Sequence, residues 1–145
     1  MTRTMLLAIL LSLVVGAAPA SGQAPAPIED FVRRVSYLWE AKDVDNLVDL
    51  VTDSEPVVLD RGSGSERVNS RHAAAALRAL FSDLESVSVR PVKATLAGGQ
   101  PVRGFGELTW VYRARGAPGE QTRSVYVGTV WDGRRWRISE LRLLP

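Results

Sequence analysis

Four side chains in this 145-residue sequence could run acid–base chemistry on a small organic substrate: Asp60, Glu140, Tyr37 and Tyr112. A carboxylate withdrawn from water has a raised pKa and can take a proton near neutral pH; a phenol can donate to the oxyanion that then develops. Asp60 follows the short β-prone run Val57–Leu59 and leads into a polar loop. That is the place of a carboxylate at a pocket mouth, or of an ordinary turn residue. His72 is the sole imidazole and falls in the first turn of a helix, where a surface or capping-region role is the simpler reading. There is no cysteine. Thiol catalysis, zinc–thiolate sites, iron–sulfur clusters, disulfides and a His-based metal site within one chain are thereby excluded, and neither metal nor cofactor is expected.

The elements that must position these groups fall into two halves. Ile28, Phe31, Val32, Val35, Leu38 and Trp39 form a helical stripe over three turns, with Glu29 and Asp30 at the positive end of the helix dipole. A second, shorter helix starts from Asp43 as N-cap, turns Val44, Leu47, Val48 and Val51 inward, and stops at Pro56. Arg61–Asn69 reads as a loop. A third helix, capped by Ser70, carries Ala73, Ala76, Leu77, Leu80, Phe81 and Leu84 on one side.

From Ser86 the period changes to two. Pro91 interrupts the first strand and predicts a bulge or bend. Strands follow over about 102–115, 121–131 and 134–143, with turns at Gly116–Gly119 and at Asp132-Gly133, the latter a two-residue hairpin signal. Closing the hairpins at those residues sets Trp110 opposite Val125 and Val127 opposite Ile138. The helix-covered face then collects Leu108, Trp110, Tyr112, Val125, Val127, Trp131, Trp136 and Ile138. Glu140 is the one acid placed on it, opposite Val125. The other face collects Glu107, Thr109, Val111, Arg113, Ser124, Tyr126, Arg135, Arg137 and Ser139, with Glu107 and Arg137 flanking Gly128. Gly104-x-Gly106 precedes a strand interior rather than a helix N-terminus, so it is read as a site of sheet bending and not as a phosphate loop.

The N-terminus reads as a secretory signal peptide, residues 1–20: Arg3, an apolar run from Met5 to Val15, and the small-x-small site Ala18-Pro19-Ala20. The run is short for a spanning helix, which needs roughly 20 residues. A secreted or periplasmic protein without a lasting membrane anchor is expected, with residues 21–27 as an extended linker and residues 28–145 as one domain. Residues 21–60 hold nine acids and three bases, and residues 61–145 seven acids and fourteen bases, so a nearly neutral chain conceals two charged halves. The overall balance gives no argument for nucleic acid.

Helix, helix, short strand, helix and bent antiparallel sheet is an order with a known counterpart. Val35-Ser36-Tyr37-Leu38-Trp39-Glu40-Ala41-Lys42-Asp43-Val44-Asp45-Asn46-Leu47 resembles the first helix and the step into the second of the nuclear transport factor 2-like (SnoaL-like) superfamily. Trp131-Asp132-Gly133-Arg134-Arg135-Trp136-Arg137-Ile138 resembles its terminal hairpin. Ser70–Leu84 followed by Phe105-Gly106-Glu107-Leu108 is similar to small exported bacterial members of unknown function. The resemblance implies an α+β cone: three helices packed on a strongly bent sheet of four main strands plus one short strand. It also implies a pocket between helices and sheet, and often a homodimer through the sheet's outer face.

Combined with the residues above, the expectation is an exported, non-enzymatic domain that binds a small apolar ligand or a protein. Tyr37, Leu77, Phe81, Trp110 and Tyr112 would line the pocket, and Glu107, Thr109, Tyr126, Arg135 and Arg137 the dimer face. The same aromatic set is also what plain core packing would produce. The alternative is a cofactor-free isomerase or dehydratase using Asp60 or Glu140 with Tyr37 or Tyr112. Fold alone does not choose between them.

Overall fold

The stripe from Ile28 to Trp39 becomes α1 (Ile28–Glu40) and buries Ile28, Val32, Val35, Leu38 and Trp39. These elements come from a computed structural model that describes residues 24–145. The expected signal peptide lies outside the described residues. The end of the linker is tied down: the Trp136 indole N–H donates to the Ala26 carbonyl at 2.8 Å. Lys42 adopts a left-handed backbone (φ 53°), and the N–H groups of Lys42 and Asp43 close the end of α1 on Trp39 and Leu38. Asp43 then caps α2 (Val44–Asp49), accepting the Asn46 N–H at 3.2 Å. The cap of α3 (Ser70–Ser82) is Asn69 rather than Ser70; its Oδ1 accepts the His72 N–H at 2.9 Å.

Six strands form one sheet: β1 (Val57–Asp60), β2 (Ser65–Val68), β3 (Leu84–Gly98), β4 (Arg103–Ala114), β5 (Gln121–Trp131) and β6 (Trp136–Leu144). Their spatial order is β2-β1-β6-β5-β4-β3, antiparallel except for β1 against β6. Residues 65–68, expected within a loop, are therefore a strand that returns along β1. Leu84 begins β3 and does not extend the third helix. Register shifts in β3 fall at Val87, Val92 and Ala97; the one at Val92 follows Pro91, where the sequence predicts it.

Both long hairpins close one residue later or earlier than their turn residues predict. Leu108, not Trp110, faces Val125, and Thr129, not Val127, faces Ile138. Moving a turn centre by one residue moves the register by two, and side-chain direction repeats every two residues, so the faces survive. Leu108, Trp110, Tyr112, Val125, Val127, Trp131, Trp136 and Ile138 are all buried under the helices. A β-bulge at Ser139 then turns the end of β6 over. Beyond it Leu141 and Leu143 point inward, while Glu140 and Arg142 point outward.

The glycines of β4 are a seat for α1. A Cβ on Gly104 would stand 2.3 Å from Ile28 Cδ1, and one on Gly106 2.5 Å from Val32 Cγ2. The helix lies so close to β4 that no side chain fits between them.

Candidate functional site

The interior of the cone is filled. The rings of Trp39, Phe81 and Trp110 meet edge to face, with centroids 5.1, 5.5 and 6.1 Å apart, and Tyr112 lies 4.5 Å from Trp110. Leu77 and Leu108 close the remaining space. The structure thus brings together four of the five expected lining residues, Leu77, Phe81, Trp110 and Tyr112, as packed core. Tyr37 is not among them: it is 73% exposed, because residue 37 faces away from the stripe through Val35, Leu38 and Trp39. A crevice bounded by Trp39, Leu59, Leu77, Leu80 and Leu141 has no room for a water molecule. The Trp39 indole N–H is nevertheless buried with no hydrogen-bond partner among the described residues.

The four acid–base candidates do not converge. Asp60 ends β1 and its carboxylate holds the following turn, accepting Gly62 N–H at 2.8 Å, Gly64 N–H at 3.4 Å and Ser65 Oγ at 3.3 Å. The Gly62 N–H is the main reason its pKa lies below the ordinary carboxylate value, the opposite of what a base needs. Glu140 is on the outer face, not the inner one, and pairs with Arg142. The Tyr112 hydroxyl donates to Gln121 Oε1 at 3.1 Å, and Tyr37 stands in solvent. The His72 side chain is exposed at the start of α3. Among the described residues no three His, Asp or Glu side chains cluster as metal ligands would.

The outer face of the sheet is organised in cross-strand rows. One row runs Lys93, Glu107, Tyr126, Arg142, Asp60 across five strands; the next runs Thr95, Phe105, Gly128, Glu140, Val58. Phe105 stacks on Tyr126 (5.6 Å, 23°), and Lys93 Nζ stands 5.5 Å from the Phe105 ring centre. Gly128 is flanked by Phe105 and Glu140, not by Glu107 and Arg137. A Cβ there would meet Glu140 Cβ at 2.7 Å, so Glu140 lies across the bare backbone. Burial, then the Glu140 charge, pushes the Tyr126 phenol up from its ordinary pKa. No described element covers this face.

Of the expected dimer-face residues, Glu107, Thr109 and Tyr126 lie on it, with Thr109 one row further along. Arg135 does not: it belongs to the turn before β6. Arg137 points outward but is committed elsewhere. Its guanidinium pairs with Asp132 at 3.0 Å and donates to the Asp49 and Val51 carbonyls, leaving the side chain 14% exposed. Sequence reading missed Phe105, Lys93, Glu140 and Arg142 as face residues. The signal for the last two is visible in β6, whose apolar residues before the terminal Leu144 fall at 136, 138, 141 and 143. The interval of three is the extra residue of the bulge.

No protein-family model matches the sequence and no curated protein matches it, but solved structures do. A DUF4783 family protein from Bacteroides ovatus superposes with a TM-score of 0.61 at 16% identity, over 75% of this chain and 89% of that one. A nuclear transport factor 2-like protein of unknown function from Shewanella oneidensis gives 0.59 at 13% identity, over 81% and 96%. The chain has the nuclear transport factor 2-like fold. A scytalone dehydratase-like protein from Novosphingobium aromaticivorans shares it too, with a TM-score of 0.62 at 12% identity over 80% and 79%. In this chain the nuclear transport factor 2-like fold has a filled cone and an aromatic and charged outer sheet face that no described element covers.

Proposed function

We propose that this nuclear transport factor 2-like domain is an exported, non-enzymatic interaction module that docks a second copy of itself through the outer face of its sheet. The observation that carries the reading is the outer face itself: a stacked Phe105–Tyr126 pair with Lys93 and Glu107 on one side and Glu140 and Arg142 on the other. Aromatic residues with opposite charges around them suit a self-complementary two-fold contact. Export rests on the N-terminal residues Arg3, Met5–Val15 and Ala18-Pro19-Ala20. Sedimentation velocity of the exported protein at micromolar concentration is expected to show a dimer, and Tyr126→Glu a monomer of unchanged circular dichroism. A monomer in both removes the docking reading. N-terminal sequencing of the exported protein is expected to begin at Ser21.

The unpaired Trp39 N–H favours one second reading, a small ligand with a hydrogen-bond acceptor that parts the crevice beside it. Native mass spectrometry of protein purified from its own host tests this. A bound small molecule that Trp39→Phe releases supports it; bare protein removes it.

A further inference from the structure

β3 is an outer strand of the sheet, and among the described residues side chains at α1 and its end close its edge at Leu84 and Val89 only. Glu40 Oε2 accepts the Val89 N–H at 2.9 Å, Ser36 Oγ donates to the Val89 carbonyl at 3.4 Å, and Lys42 Nζ donates to the Leu84 carbonyl at 3.4 Å. Val89 therefore turns its backbone groups away from β4. In an antiparallel ladder such residues alternate with those bonded to the neighbour. Val89 stands opposite Trp110, so the residues opposite Leu108, Gly106 and Gly104 share its orientation: Pro91, Ala94 and Leu96. Pro91 has no N–H to leave open. Ala94 and Leu96 have both N–H and C=O, and no side chain among the described residues closes them. Beside them Val92 is 62% and Leu96 58% exposed. A groove of about 180 Å3 runs between this edge and α1, bounded by Glu29, Val32, Arg33, Pro91, Val92 and Ala94.

We propose that the distal half of β3, Arg90–Leu96, accepts an added strand from an extended segment of another protein that alternates small apolar with acidic residues. Backbone hydrogen bonds to Ala94 and Leu96 supply the pairing, and Val92 and Leu96 the apolar contacts. The charge of the occupant follows from the edge. Arg90 and Lys93 are the only charged residues between Val87 and Val102, and both are exposed. Arg33 at the groove is paired with Asp30, and Glu29 is the acid at its rim. A second copy pairing antiparallel through Ala94 and Leu96 would set Lys93 and Arg90 opposite uncharged residues and leave both cations without an opposite charge, whereas an acidic strand supplies one. Bulges at Val92 and Ala97 leave Lys93–Leu96 as the straight stretch within this segment, so the backbone-paired part of the partner strand is short.

The test uses two capped hexapeptides, one alternating valine with glutamate and one alternating valine with lysine. Each is titrated into the isotope-labelled protein while backbone amide shifts and hydrogen exchange are followed. The glutamate peptide is expected to shift the Arg90–Leu96 amides and to slow exchange at Ala94 and Leu96 about tenfold or more. Reversing both charges (Arg90→Glu with Lys93→Glu) is expected to exchange the preference to the lysine peptide, and Ala94→Pro to abolish binding. If Ala94→Pro does not fold, the charge reversal decides alone. The proposal is overturned if neither peptide shifts these amides at millimolar concentration, or if both do so equally. It is also overturned if the Ala94 and Leu96 amides are already protected in a concentration-dependent way, which assigns the edge to a second copy. Tyr126→Glu, on the outer face, is expected to leave peptide binding unchanged, so this result stands apart from the docking of that face.

Discussion

Arg137 and Asp132 form a 3.0 Å Nε–Oδ2 pair that ties the β5–β6 turn to the start of β6. The same guanidinium donates to the Asp49 carbonyl at 2.8 Å, placing a cation at the negative end of the helix. Arg137→Ala removes both anchors and is expected to destabilise the fold by about 2 kcal/mol in urea unfolding. Arg137→Lys is expected to recover less than half, because an ammonium cannot span two acceptors as the planar fork does. Equal stability of the arginine and lysine proteins would contradict this.

Asp132 has a pKa lowered to about 2, first by the Arg135 N–H, then by the Arg134 N–H and by Arg137. Its folded value lies below its ordinary 3.8. The carboxylate's contribution is therefore complete above pH 3.8 and lost as pH falls towards 2. Asp60 acts in the same direction, its pKa lowered chiefly by the Gly62 N–H. Thermal unfolding followed against pH is expected to fall most steeply between these two values. Asp132→Asn, which keeps an acceptor but no charge, is expected to flatten that fall.

Gly106→Ala forces a Cβ to within 2.5 Å of Val32 Cγ2 and is expected to destabilise the domain by about 1–3 kcal/mol. Val32→Ala in the same chain is expected to return part of the loss, giving a non-additive cycle. Gly104→Ala is expected to be worse, since one of its neighbours, 2.8 Å away, is the Thr95 backbone carbonyl, which cannot swing aside.

The Tyr126 phenol is pushed up by burial and next by Glu140. Glu140→Gln is expected to lower its midpoint in an ultraviolet titration of phenolate formation. A midpoint that does not move would mean that Glu140 does not lie over Gly128 in solution.

The helices and the two sheet faces were legible because their signals are periodic. Even a turn misplaced by one residue keeps side chains on the correct face, as Val125 and Val127 show. Features defined by one residue were not legible. β2 is Ser65-Glu66-Arg67-Val68, an exposed edge with no apolar alternation to announce it. Ser139 reverses Glu140 through a single insertion, whose one trace in the sequence is the interval of three between Ile138 and Leu141. Tyr37 failed as a pocket residue for a different reason. An aromatic one position off a helical stripe reaches solvent however apolar its ring. Aromatic content marks a core only when the period agrees.

The pairing of β1 with β6 has a consequence for timing. Val58 and Leu59 find their partners in Glu140 and Leu141, far along the sequence. The β1–β2 hairpin therefore waits for almost every later residue before it has a place in the sheet. A chain emerging from a ribosome cannot complete this sheet until β6 is released. Closure of the sheet waits on β6, and a product lacking β6 leaves β1 and β5 with open edges.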